Sequence, residues 1–273
     1  AVQGVAIYAI SGTGGLLEYS INGGSNWLAV GSVSSTSALL LRANDLLRFT
    51  PDNVNGGTML IDYRAWDQTA GTAGTKVDTS VTGGTSEFSV ANDRVTVNTS
   101  SINDAPTATI VPTNYSASEQ TLLTLHGTGL SIADIDAGSA TIRATITVIS
   151  GTLNAGAGTT GVSISGSGGT NITLVGTTAQ INDLLSGNLG GTLTYINNSD
   201  NPPPTDTLTL TAEDLGNTGS GGALTGADSA TINISPVNDA PIVTTSVTTI
   251  NYTENDPLVV IDNAITISDA DNT

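Results

Sequence analysis

The strongest constraint on this chain is a tetrapeptide that returns. Asn103-Asp104-Ala105-Pro106 recurs unchanged as Asn238-Asp239-Ala240-Pro241, an offset of 135 residues. The same offset carries Ser118-Glu119 to Thr253-Glu254, and Asp134-Ile135-Asp136 to Asp269-Ala270-Asp271. Three acidic landmarks in one register, with no gap between them, mark a tandem repeat whose unit is an ordinary domain in size. A repeat of this kind places its carboxylates where one unit meets the next. The period assigns residues 106–240 to a complete unit, 1–105 to a unit without its opening strands, and 241–273 to the opening strands of a further unit.

Within the units, apolar residues alternate with Thr and Ser. Leu17, Tyr19 and Ile21 run up to Asn22-Gly23, and Trp27, Ala29 and Val30 follow, a hairpin whose turn tolerates positive φ. Leu39–Leu41, Leu46–Phe49, Met59–Trp66 and Glu87–Asn98 read as strands of the first unit. Thr107–Val111, Leu122–Ile132, Thr141–Ile149, Leu208–Asp214 and Ala227–Ile234 read as strands of the second. Thr177-Thr178-Ala179-Gln180 has the form of a capping box, with Ile181, Leu184 and Leu185 on one face and Gly187 at the exit, which predicts one two-turn helix. Short strands with turn punctuation and a single helix indicate an all-β fold of tandem antiparallel Greek-key β-sandwiches, Ig-like in architecture. Ser20 to Trp27 resembles an Asp-box hairpin with Asn22 in place of the aspartate, and a structural role is expected of it. His126 reads as an outward strand residue, and Asp200 and Asp206, flanking Pro202-Pro203-Pro204, read as solvated loop acids.

Charge narrows the function. Twenty-four acids against six bases give −18, which argues against nucleic acid and anionic membrane surfaces. Acids this dense repel one another unless cations sit among them. With no cysteine, neither a disulfide nor a thiolate metal site can form, and a hard cation held by oxygen ligands is the remaining staple. No stretch approaches the roughly 18 continuous apolar residues of a membrane helix. No nucleophile–base pair, phosphate loop or Cys/His constellation occurs, so the chain reads as a protein that is not an enzyme.

Asn-Asp-Ala-Pro at unit ends, Ser/Thr-Glu near residue 13 of a unit, Asp-x-Asp, and an aspartate closing a late strand (Ala65-Trp66-Asp67; Ala212-Glu213-Asp214) together resemble the cadherin-like repeats of very large bacterial surface adhesins. The resemblance covers essentially the whole chain. It lacks the glycine-aspartate nonapeptide of RTX proteins and the Asp-Arg-Glu triplet of animal cadherins. It implies calcium bound between consecutive sandwiches. Carried over, it places Glu119, Asp214, Asn238 and Asp239 at the far end of unit two, with Asp269 and Asp271 reaching back from unit three. It makes Asp67, Asn103, Asp104, Asp134 and Asp136 the equivalent set between units one and two.

The expected function is an extracellular, calcium-stiffened repeat at the cell surface, forming the shaft of an adhesin or filament. Its partners would be further copies of itself or adjacent repeats. The alternative is a binding module that recognises a glycan or protein through Gly/Thr-rich loops such as 68–86 or 214–227, whose scarcity of aromatics disfavours a hot spot. A last expectation joins the two incomplete ends. Residues 242–273 of one copy would pack as strands on residues 1–105 of the next, either as in-phase continuation of one polypeptide or as strand addition between subunits. Glu254 would then take the place that Glu119 has in unit two.

Overall fold

The computed structural model describes residues 3–52, 54–217, 219–246 and 248–271. They fall into two compact units, Ala1–Asp104 with Thr218–Gly222, and Ala105–Asn217 with Ala223–Thr273. The first unit contains β1 (Gly4–Gly12), β2 (Gly15–Ser20), β3 (Leu28–Ala29), β4 (Ala38–Arg42), β5 (Leu46–Pro51), β6 (Gly57–Trp66), β7 (Lys76–Val77) and β8 (Phe88–Thr99). One sheet runs β7-β4-β1-β6-β8 and the other β3-β2-β5. Alternate residues of β1, β2, β4 and β6 (Ile7, Leu17, Tyr19, Leu39, Leu41, Met59, Ile61) point between the sheets and form one core. Ser20 Oγ accepts the Gly24 N–H at 2.9 Å, and Asn22 Oδ1 accepts the Asn26 N–H at 3.0 Å, so the amide of Asn22 closes the hairpin turn as a carboxylate would.

The second unit opens with β9 (Thr107–Ile110), β10 (Asn114–Ser118), β11 (Leu123–Thr124) and β12 (Leu130–Ala133). Then come β13 (Thr141–Thr147), β14 (Thr152–Gly156), β15 (Ser163–Ser165), β16 (Asn171–Thr177) and α1 (Thr178–Leu185). It closes with β17 (Thr192–Ile196), β18 (Thr205–Glu213), β19 (Thr225–Ser235), β20 (Ile242–Thr244) and β21 (Thr266–Ser268). A six-stranded sheet, β10-β19-β18-β13-β16-β15, is faced by the sheet β11-β17-β14, and both feed one core that includes Ile142, Ile146, Leu153, Leu174, Tyr195 and Leu210. The chain is all-β apart from short helical turns, as the alternation predicts. Among the described strands the pairing is antiparallel except that β10 lies parallel to β19, from Asn114↔Thr231 to Ser118↔Ser235.

Two expectations need correction. Leu122–Ile132 is not one strand but β11 and β12, split at Gly127 and Gly129, both at positive φ. Gly129 passes so close to the Val111 carbonyl oxygen that a Cβ would come within 2.1 Å. His126 therefore sits in the turn rather than in an outward strand, half-buried, with Nδ1 accepting the Leu193 N–H at 3.0 Å.

The helix matches its signature. Thr177 Oγ1 accepts the Gln180 N–H at 3.2 Å, the Gln180 side chain returns to the Thr177 N–H at 2.9 Å, and Ile181, Leu184 and Leu185 are buried. Thr177→Ala removes that acceptor and should lower the urea-unfolding free energy of unit two by about 1 kcal/mol. A neutral result would mean that packing of the three apolar residues holds the helix without its cap.

Candidate metal centre

Strand β10 ends by delivering Glu119. Its backbone N–H continues the parallel ladder to Ser235 O at 3.1 Å, and the next residue, Gln120, turns left-handed at φ 56° with its N–H on Asn197 O at 2.7 Å. The reversal buries the Glu119 side chain to 1% exposure, and neither Oε1 nor Oε2 has a hydrogen-bond partner. Asp239 follows β19, half-buried, with its Oδ2 also lacking a partner. Asp271 follows β21, and its Oδ2 accepts the Asp239 N–H at 2.5 Å. One carboxylate oxygen from each of Glu119, Asp239 and Asp271 lies within 4.8 Å of the other two.

The electrostatics leave this cluster short of positive charge. Burial, then Asp200, Asp271, Glu119 and Asp269, push the Asp239 carboxyl above its ordinary pKa. All six bases of the chain are engaged elsewhere. Arg42, Arg48, Arg94 and Arg143 pair with Asp45, Glu18, Asp62 and Glu213, while Arg64 and Lys76 donate to the carbonyls of Thr79 and Ser32. An ionised buried carboxylate without a partner costs several kcal/mol, which a cation held among these oxygens would offset. The donors are all oxygens, and their mutual separation suits metal–oxygen bonds of about 2.3–2.6 Å, the range of calcium. The residues present fit that ion.

Other candidate ligands separate by strand direction. Asp214 closes β18, whose far end, Thr205, pairs with Asn233 of β19 near Ser235 and hence near Glu119. Nine residues of strand, roughly 27 Å, lie between. Asp214 therefore belongs at the opening end of unit two and not with Glu119, which corrects the grouping read from the sequence. Asp134 and Asp136 share that end, because Ala133 pairs with Thr107 and Pro106 lies against Gly226. Asp67 stands corrected for the same reason. Trp66 pairs with Phe88 and Gly57 with Thr99, so Asp67 is the length of β6 away from Asn103 and Asp104. The late strand runs antiparallel to the one that leads into Asn-Asp-Ala-Pro.

At the opening end, Asp214 Oδ1 accepts the N–H groups of Gly216 and Leu224 at 2.8 and 2.9 Å. Asp134 Oδ1 accepts those of Asp136 and Ala137, while its Oδ2 is buried with no hydrogen-bond partner. Burial, with neighbouring Asp136 next, pushes the Asp134 carboxyl up to about 6. Asn103 is buried in unit one with Nδ2 on Gly222 O at 3.0 Å, and Asp104 is exposed. Asn238 is exposed with Nδ2 on Asp239 O, Asp269 accepts the Asp271 N–H at 3.0 Å, and Glu254 is exposed.

Two acids read as solvated are not idle. Asp206 is buried and accepts from the N–H groups of Ile149 and Ser150, the Ser150 hydroxyl and the Tyr195 phenol, all within 3.0 Å. Asp200 takes the Gln120 Nε2–H at 2.8 Å, beside Glu119. Among the described residues five non-glycine residues have positive φ, and four of them directly follow acids of the repeat: Gln68, Gln120, Leu215 and Asn255, after Asp67, Glu119, Asp214 and Glu254. A left-handed residue re-aims the chain just past the carboxylate. Only Asn255 is of a residue type that announces this in a sequence.

No family model matches the chain, and no curated protein matches it. Among solved structures it is similar to human CDH23 EC21-23 at 15% identity and TM-score 0.41, covering 99% of this chain and 69% of that one. It is also similar to the extracellular cadherin domains 1-5 of Protocadherin Gamma B2, at 15% identity and TM-score 0.33, over 95% of this chain and 40% of that one. A more distant likeness, 8% identical with a TM-score of 0.20 over 85% of each chain, is to the CupB6 tip adhesin from Pseudomonas aeruginosa. The chain is an all-β protein built of antiparallel sandwich units.

Proposed function

We propose that this chain is an extracellular, adhesion-type structural repeat, the shaft of a surface adhesin or filament, whose sandwich ends are held by calcium. One observation carries the reading: Glu119 is buried with both carboxylate oxygens unpartnered, facing Asp239 and Asp271. An ion there would fasten the segment that leaves β19 to the base of the sandwich it has just left. Asp134, Asp136 and Asp214 would serve the opposite end of unit two. Further copies or adjacent repeats, joined head to tail by strands, are the partners this reading requires. Fixing such ends suppresses the hinge motion that is otherwise the default between domains. Among the described residues no helix is long and apolar enough to cross a membrane.

Glu119→Gln tests the reading through a change of sign. With calcium the variant should melt below the parent, because a charged ligand is lost. In chelator it should melt at or above the parent, because an unpaired buried charge is removed and several kcal/mol of desolvation cost goes with it. A variant that melts below the parent by the same margin in both conditions would show that Glu119 acts through packing and not through an ion.

A further inference from the structure

We infer that Asp200 is a positioning residue of the metal centre: by holding the Gln120 side chain it keeps the left-handed turn that aims Glu119 at the ion. The inference rests on the calcium reading above and adds to it a residue outside the three converging carboxylates.

The turn needs such a hold. Thr121 N–H returns to Ser118 O at 3.3 Å, so Glu119 and Gln120 are the two central residues of a four-residue turn. The third residue of that turn, Gln120, lies at φ 56°, a place that glycine or asparagine ordinarily takes. A glutamine stays there only when its surroundings hold it. Two bonds supply that hold, both from the loop that leaves β17. Gln120 N–H donates to Asn197 O at 2.7 Å, and Gln120 Nε2–H donates to Asp200 Oδ1 at 2.8 Å. Loss of the left-handed conformation would re-aim the chain just past Glu119, and with it the buried carboxylate.

The loop is itself anchored. Asn197 is buried, its Nδ2–H donates to Ser150 Oγ at 3.2 Å, and its Oδ1 accepts the Ser199 N–H at 3.0 Å. Ser150 is bound in turn to the buried Asp206. On the other side of Asp200, Ser199 Oγ accepts the Asn201 N–H at 3.2 Å, and Pro202 follows. The backbone around Asp200 is therefore fixed, and its carboxylate reaches Gln120 without the ordering of a free loop. Asp200 also bears on the cluster by charge: after burial, it contributes most to the raised pKa of Asp239. An asparagine at position 200 keeps an acceptor for Gln120 Nε2–H and drops that charge, so it separates the two effects.

Calcium titrated calorimetrically into the full chain and its variants tests the assignment. Asp200→Ala and Gln120→Ala should each weaken calcium binding by roughly 10-fold, the low end for partners that orient a metal ligand. The double variant should bind no more weakly than either single one, because both remove the same contact. Asp200→Asn should recover most of the affinity lost in Asp200→Ala. In chelator, Asp200→Ala should melt no lower than the parent, because a released Glu119 is no longer buried without a partner. Losses that multiply in the double variant, or an Asp200→Asn as weak as Asp200→Ala, would overturn the proposal by showing that Asp200 acts through its own charge. So would an Asp200→Ala that melts lower by the same margin with and without calcium, since the bond would then only support the fold. A parent that binds calcium, with Asp200→Ala unchanged, removes the role of Asp200 and leaves the calcium reading standing. A parent that takes up no calcium removes both.

Discussion

Removing calcium should lower the melting temperature of this chain. An ion present at 100 times its Kd adds about 2.7 kcal/mol per site to the folded state. For a unit of this size that corresponds to roughly 5–10 °C. The cause is local: Glu119, Asp239 and Asp271 have no protein cation within reach, and Asp134 has a buried oxygen without a hydrogen-bond partner. pH separates this from a general salt effect. The Asp134 carboxyl, raised to about 6, binds its proton more tightly folded than unfolded. Its contribution is therefore fully present below the ordinary carboxylate pKa, near 4, and is lost as pH rises through about 6. In chelator, that contribution favours stability as pH falls from 7 toward 5. In calcium the ion takes the place of the proton, and the gain on acidification should vanish. Melting curves that superimpose with and without chelator at pH 7 would remove the basis of this account.

Asp206→Ala should be the most damaging single substitution that leaves the metal cluster untouched. The carboxylate gathers three backbone N–H groups, a hydroxyl and the phenol of Tyr195, which is itself fully buried between the sheets. Alanine leaves these donors unsatisfied in the interior, which costs roughly 3–5 kcal/mol. Asp206→Asn keeps one acceptor oxygen and should lose less. Urea unfolding of unit two measures both, and an alanine variant within about 1 kcal/mol of the parent would mean that water replaces the carboxylate.

Asp206 also shows where the sequence stops being legible. Its neighbours Pro202, Pro203 and Pro204 signal a loop, and the loop is present, but nothing in the local pattern says that a strand one sheet away points a tyrosine at it. The period was readable because three acidic landmarks keep one offset. The strands were readable from alternation, and α1 from its cap. Pairing direction was not. Asp67 and Asp214 repeat faithfully, yet they end strands that run against the chain leading into Asn-Asp-Ala-Pro, which puts them at the opposite end from the site they seemed to join. The parallel course of β10 and the left-handed residues after the acids were equally hidden, because Gln68, Gln120 and Leu215 are ordinary residues whose conformation the surrounding fold imposes. Glu119 could be named from its register, but its burial without a partner is a property only of the folded chain.

The most direct measurement is anomalous diffraction from crystals grown in calcium, with a matched set from chelator. An anomalous peak is expected in calcium at the point shared by the carboxylates of Glu119, Asp239 and Asp271, with oxygens at about 2.3–2.6 Å. That peak should be absent in chelator. A calcium crystal with no anomalous peak there, and with the Glu119 carboxylate hydrogen-bonded to protein or water instead, would contradict it.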